Sequence, residues 1–359
     1  MEVEGAHAMN PIPVTLLTGF LGAGKASFLN VLLRAPRFEG TAVLVNEFGE
    51  VSVDHDLVAG MSDDLVTTTT GCLCCTASSD AKQALFDLWN RRKNREIQAF
   101  DRVIIETTGL ADPAPVVASL IALPTGNLMD RVVATQFALA RVVTLIDALH
   151  GKASLERHPE PPKQIALADI VVVTKSDLLT DPAVQQDDFM FLSDQVRVLN
   201  PSARLLDRHT DWPTIANTLL TETTYDLRTK GEDALAWLAA EQVHHTHSGH
   251  DHHDHHLDPN RHHSGIEAHA IVIDEPIESS SFYLFLQALK MSAGTKLLRM
   301  KGLFKLADHP SQPVVAHGVQ SQGHEIDRLE AWPSNDERTR VVLIGHDLGT
   351  DCLRSILES

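Results

Sequence analysis

The chain has 359 residues, too many for one ordinary core, and its 43% apolar content is enough to bury a sizeable interior, so two domains are expected. Its 30 Lys and Arg stand against 48 Asp and Glu, a formal charge of −18. Such a surface repels phosphate backbones and anionic lipid, which argues against nucleic-acid and membrane partners and for cations, and 20 His residues reinforce that preference.

In chain order, residues 1–12 read as an N-terminal extension, with Met9 as an alternative start and no secretory apolar core. Residues 13–17 form a buried strand, and residues 27–33 a helix. Between them lies Gly19-Phe20-Leu21-Gly22-Ala23-Gly24-Lys25, the glycine-rich turn of a phosphate loop in the strand–helix setting that motif requires. Gly19, Gly22, Ala23 and Gly24 let backbone N–H groups close around phosphate oxygens, and Lys25 reaches the β- and γ-phosphates. The competing reading is a ligand-free turn. Ala26 stands where the motif has Ser or Thr to bind Mg²⁺. Ser27 is next, but one residue on a helix turns about 100° and aims it elsewhere. Weakened Mg²⁺ affinity and slow hydrolysis are therefore expected, with water filling the gap.

Residues 41–45 read as the next strand. Gly71-Cys72-Leu73-Cys74-Cys75 follows. Thiolates are strong zinc ligands, and Cys72, Cys74 and Cys75 can converge on one ion without a fourth visible ligand, as suits a metal that must leave again. A buried thiol cluster or redox site is the alternative. The spacing suits no mutual disulfide, so a reduced, cytoplasmic setting is expected. The remaining cysteine, Cys352, reads as core.

Strand 103–105 ends in Glu106-Thr107-Thr108-Gly109. An acid there can hold Mg²⁺ or its water shell, and the Gly109 N–H can contact a γ-phosphate. Residues 142–146 give another strand. Strand 170–173 ends in Thr174-Lys175-Ser176-Asp177, a tetrad in which Asp177 accepts from guanine N1–H and the N2 amine while Lys175 lies over the base. Thr174 replaces the usual Asn, and Asp177 as a simple N-cap is the alternative. Strands alternating with helices over 13–225 predict an α/β fold, a P-loop NTPase parallel sheet with helices on both faces.

Residues 226–265 read as a linker helix and a disordered tract, because 244–263 holds ten His among Asp, Ser and Gly. Weak metal collection is its expected role. Residues 266–359 resume with strands at 268–273, 296–305 and 341–344 and helices at 279–290 and 347–357, a smaller α+β domain. No apolar run reaches the roughly 18 residues of a membrane span.

The stretches 17–25, 46–50, 71–75, 106–113, 175–177 and 296–302, together with Trp332, resemble in order the CobW-like P-loop GTPases, relatives of the nickel-insertion GTPases. The resemblance implies a GTP-driven metallochaperone that carries zinc, with Co²⁺ or Ni²⁺ as alternatives, to a client apo-metalloprotein. It places Glu47 in the first switch near Mg²⁺ and the metal, the cysteine trio between the switches, and Glu106 and Gly109 in the second switch. Ala26, Ser52, Ala77 and Ser78 depart from the family pattern, which bears on rate and switch flexibility. The all-thiolate donor set leans to zinc. Monomer and homodimer both remain open. Two rivals stand beside this reading: a metal buffer with little GTP turnover, and a small-molecule kinase.

Overall fold

The computed structural model describes residues 11–45, 73–122, 124, 126–179, 182–220, 265–293, 296–319 and 325–358. Strands β1 (Ile12–Gly19), β2 (Thr41–Val45), β3 (Arg102–Glu106), β4 (Phe137–Asp147), β5 (Ile170–Thr174) and β6 (Arg204–Asp207) form one sheet in the order β2-β3-β1-β4-β5-β6. All neighbours in it are parallel. Parallel strands need crossovers, and helices supply them: α1 (Lys25–Arg34), α2 (Leu73–Lys93), α3 (Ala114–Ile121), α4 (Leu128–Gln136), α5 (Gly151–Arg157), α6 (Glu160–Leu167) and α7 (Pro182–Leu199), with α8 (Trp212–Leu220) following the last strand.

Side-chain alternation sorts the strands between two cores. Val14, Leu16, Val103, Ile105 and Val142 face α2, α3 and α4. Leu17, Ile104, Val143 and Leu145 face α1 and α8, where Phe28, Leu29, Leu32 and Ile215 meet them. Both faces are covered, so the strands read as apolar runs rather than alternating ones. β4 is longer than the expected 142–146. Arg141 interrupts its apolar run, and in the fold that guanidinium is buried and donates to the Thr218 carbonyl of α8.

A second sheet contains β7 (Glu267–Ile273), β8 (Leu297–Phe304), β9 (Val314–Gly318), β10 (Glu325–Arg328) and β11 (Thr339–Gly345), ordered β10-β9-β8-β11-β7 and antiparallel throughout. Helices α9 (Ser279–Ala288) and α10 (Thr350–Leu357) cover one face through Phe282, Phe285, Leu353 and Leu357. The helix expected over 279–290 leaves α-geometry at Ala288 and continues as a π-turn, Leu289–Ala293. Cys352, expected in the core, is exposed. α10 buries Leu353 and Leu357, one turn apart, and that choice turns Cys352 outward.

The two sheets share a core. Leu298, Val342 and Ile344 of the second, with Ile266 just before β7, pack with Ile146 and Val171 of the first and with Ile165 of α6 and Leu192 of α7. Arg299 of β8, buried, donates to the Leu167 carbonyl and pairs with Asp169, which also receives Lys301 Nζ at 3.2 Å. Asp169 Oδ2 accepts the Val142 N–H at 2.8 Å, so one carboxylate joins β4 to both cations of β8. Among the described residues, no helix is long and apolar enough to cross a membrane.

Candidate nucleotide and metal site

β1 delivers the glycine-rich loop at the carboxyl edge of the sheet, where open α/β sheets bind ligands. Gly19 has φ +146°, and a Cβ there would lie 2.6 Å from the Leu145 carbonyl oxygen, so only glycine lets β1 run this close to β4. The Ala23 N–H donates to the Phe20 carbonyl at 3.1 Å, closing the turn. Gly24 is the left-handed cap of α1. Lys25 opens that helix, and its Nζ donates to the loop carbonyls of Gly19 at 2.8 Å and Phe20 at 3.4 Å. The ammonium thus lies across the loop it serves. Ala26 is half-buried and Ser27 exposed, in keeping with a Ser27 hydroxyl that turns away from the loop.

β3 brings the acidic strand end alongside. Glu106 registers with Leu17 of β1 and Val45 of β2, and its side chain is buried. The Thr107 N–H donates to the Leu17 carbonyl at 3.0 Å. Gly109 then packs on the phosphate loop, for a Cβ there would meet Leu21 N at 2.6 Å. Gln164 of α6, fully buried, donates through Nε2 to the carbonyls of Gly109 and Ala111, both at 3.2 Å, and fixes the far side of this segment. Asp112 Oδ1 accepts the Ala114 N–H at 2.9 Å and so leads directly into α3.

β5 supplies the third wall. Thr174 is fully buried, and its hydroxyl donates to the Ala23 carbonyl at 2.8 Å, tying the tetrad to the phosphate loop. Lys175 adopts a left-handed backbone (φ +60°), and its Nζ donates to Asp147 Oδ2 at 2.7 Å. Burial pushes the Asp147 carboxyl up. Hydrogen bonds from Lys175, His150 and the Leu149 N–H, with the Lys175 charge, outweigh it and hold Asp147 below the ordinary carboxylate value. Asp177 is half-exposed and pairs with His209 Nε2 at 2.7 Å.

Of the expected metal residues, Glu47 and Cys72 lie outside the described residues. Cys74 and Cys75 fall in the first turn of α2, and their side chains are outside the description. What is described is how α2 is held. Ala81, Ala84, Leu85 and Leu88 share a core with Val116, Val117 and Ala118 of α3. Lys82 pairs with Asp130 at 3.1 Å, and Trp89 Nε1 donates to Gln136 at 3.1 Å. The helix that begins at the cysteines therefore packs on the helix that begins just after Gly109. Among the described residues, no group of three or more His, Cys, Asp or Glu is placed to hold a metal.

Residues 13–206 match the family model for the CobW/HypB/UreG nucleotide-binding domain, and residues 266–359 match that for the cobalamin synthesis protein cobW C-terminal domain. The chain belongs to the CobW/HypB/UreG family. Among CobW-type relatives, the zinc chaperone YjiA of Escherichia coli strain K12 is 28% identical over 350 residues, covering 97% of this chain and 98% of that protein. The zinc-regulated GTPase metalloprotein activator 1 of Schizosaccharomyces pombe is 32% identical over 192 residues, 51% of this chain and 43% of that protein. The crystal structure of zinc-bound YjiA GTPase from E. coli superposes with a TM-score of 0.65 at 24% identity, over 98% of this chain and 99% of that one, and shares the fold.

Three residues of this CobW-family site escape sequence reading. Asp147 ends an apolar strand in an acid, and that signal, the one that singles out Glu106, could have found it. Gln164 and His209 carry no local signal, because each acts on a segment distant in the chain.

Proposed function

We propose that this chain is a GTP-hydrolysing metallochaperone that binds zinc at Cys72, Cys74 and Cys75 and passes it to a client apo-metalloprotein under nucleotide control. The single observation that carries the reading is the joining of Gly109 to both the phosphate loop and α3, on which the cysteine-bearing helix α2 packs. The zinc-chaperone name of a relative alignable over nearly the whole chain supports the choice of metal.

In this reading, the backbone N–H groups of residues 19–27 and Lys25 bind the β- and γ-phosphates, and the cap of α1 adds positive potential. Asp177 accepts from the guanine edge, and Lys175 lies against the base with its ammonium held by Asp147. Thr174 braces the loop rather than the base. Glu106, and the buried Thr107 and Thr108 hydroxyl oxygens that lack a described hydrogen-bond partner, form an oxygen-rich edge that fits a hydrated Mg²⁺. Mg²⁺, when bound, neutralises phosphate charge. Glu47 belongs to the first switch beside it. The Gly109 N–H reports the γ-phosphate, and movement of residues 107–112 is passed through α3 to α2 and the thiolates. Coupling of this kind is reciprocal, so zinc affinity differs between GTP and GDP states.

Zinc titration of GTP- and GDP-loaded protein tests the proposal, and equal affinities would remove the coupling. Ala26 favours a second reading, a metal buffer with little turnover. Single-turnover GTP hydrolysis by the wild type and by Ala26→Thr separates the two. A rise in rate on restoring the hydroxyl supports a hydrolytic machine slowed at one position. No turnover in either protein supports the buffer.

A further inference from the structure

Asp177 is the residue on which guanine choice rests in the reading above, yet it stands half-exposed on a short 3-10 turn, Ser176–Leu178. A carboxylate so placed has rotational freedom, and two-point recognition of guanine N1–H and the N2 amine needs both of its oxygens held in the plane of the base. His209 supplies what the turn lacks. Its Nε2 lies 2.7 Å from Asp177 Oδ1.

The backbone that carries the imidazole is firmly held. Asp207 Oδ1 accepts the backbone N–H of His209 at 2.7 Å and of Thr210 at 3.1 Å. Asp211 Oδ2 accepts the Asp207 N–H at 2.8 Å. The Arg208 N–H donates to the Val173 carbonyl at 2.9 Å, locking this loop onto β5 one residue before Thr174. The loop carrying His209 and the tetrad carrying Asp177 therefore leave the sheet as one fixed pair. A carboxylate offers about four lone-pair sites, so one contact at Oδ1 from His209 leaves both oxygens able to accept from a base.

We propose that His209 is a positioning residue for nucleotide specificity: it fixes the Asp177 carboxylate so that guanine is distinguished from bases lacking the N2 amine. The inference rests on the guanine reading of Asp177 and goes beyond it by assigning discrimination to a residue outside the tetrad.

The test compares GDP with IDP, whose base differs from guanine only in lacking the N2 amine, by calorimetric titration of the full chain. His209→Ala is expected to weaken GDP binding about fivefold and IDP binding much less, the size of one lost charge-assisted positioning contact. The wild-type preference for GDP over IDP should shrink accordingly. His209→Gln, which keeps an N–H donor at similar reach, should restore most of it. Thermal melting of each variant checks the fold, which a partly exposed side chain should leave intact. Parallel weakening of GDP and IDP in His209→Ala, or no change in either, would overturn this inference alone. A wild type that binds GDP and IDP equally would overturn the guanine assignment of Asp177 and this inference with it.

Discussion

Thr174 stands where a guanine tetrad usually carries Asn, and its hydroxyl meets the Ala23 carbonyl across the chain. Thr174 therefore braces the tetrad against the phosphate loop. Asp147, the register partner of Thr174 on β4, holds the Lys175 ammonium, and its carboxyl lies below the ordinary value. A depressed carboxyl contributes stability that is present above its unfolded value and lost as pH falls through its folded value. The contribution of Asp147 is thus complete at neutral pH and disappears below the ordinary carboxylate range. Asp147→Asn should flatten the acid limb of thermal stability and weaken nucleotide binding severalfold at neutral pH by releasing Lys175. Melting curves across acid pH, with GDP titration at pH 7, check both. An acid limb unchanged by the substitution would remove Asp147 from the account.

At the scale of elements, the segment between β3 and α3 is clamped from two sides, by Leu21 against Gly109 and by Gln164 against the Gly109 and Ala111 carbonyls. A Cβ at position 109 meets the backbone N and Cα of Leu21 as well as its side-chain tip, so moving the side chain alone does not relieve it and either this segment or the phosphate loop must shift. Gly109→Ala should lower single-turnover GTP hydrolysis roughly tenfold or more, because sub-ångström misplacement is costly at a reacting phosphate. GDP affinity should change far less, since the γ-phosphate contact is the one disturbed. Hydrolysis at the wild-type rate would show that residues 107–111 do not sense that phosphate.

At the scale of the whole molecule, the two sheets are joined by apolar packing and by a charge cluster in which buried Arg299 meets partly buried Asp169 and Lys301. Removing one partner of a buried pair leaves an uncompensated charge and costs about 3 kcal/mol or more, whereas replacing both with apolar groups is far milder. Asp169→Asn should lower the denaturant midpoint sharply, and adding Arg299→Met should recover much of the loss. Equilibrium unfolding of the single and double variants measures it. A double variant less stable than Asp169→Asn alone would show that Arg299 does not depend on that carboxylate.

The sequence by itself determined the parallel sheet, the phosphate loop, the acidic strand end at Glu106, the tetrad at 174–177 and the family, because each is a local pattern: an apolar run, a glycine spacing, a strand closed by a polar residue. It also marked a cysteine trio as the metal candidate, and Cys72 and the side chains of Cys74 and Cys75 lie outside the described residues. Only the tertiary structure decided that Arg141 and Arg299 are buried, that Cys352 is not, that Gln164 clamps Gly109, and that His209 meets Asp177. Those outcomes depend on which distant segments the crossovers bring together, and no window of neighbouring residues records that. The length of β4 belongs with them, since an arginine ends an apolar pattern in sequence but continues a strand once a helix offers its carbonyl.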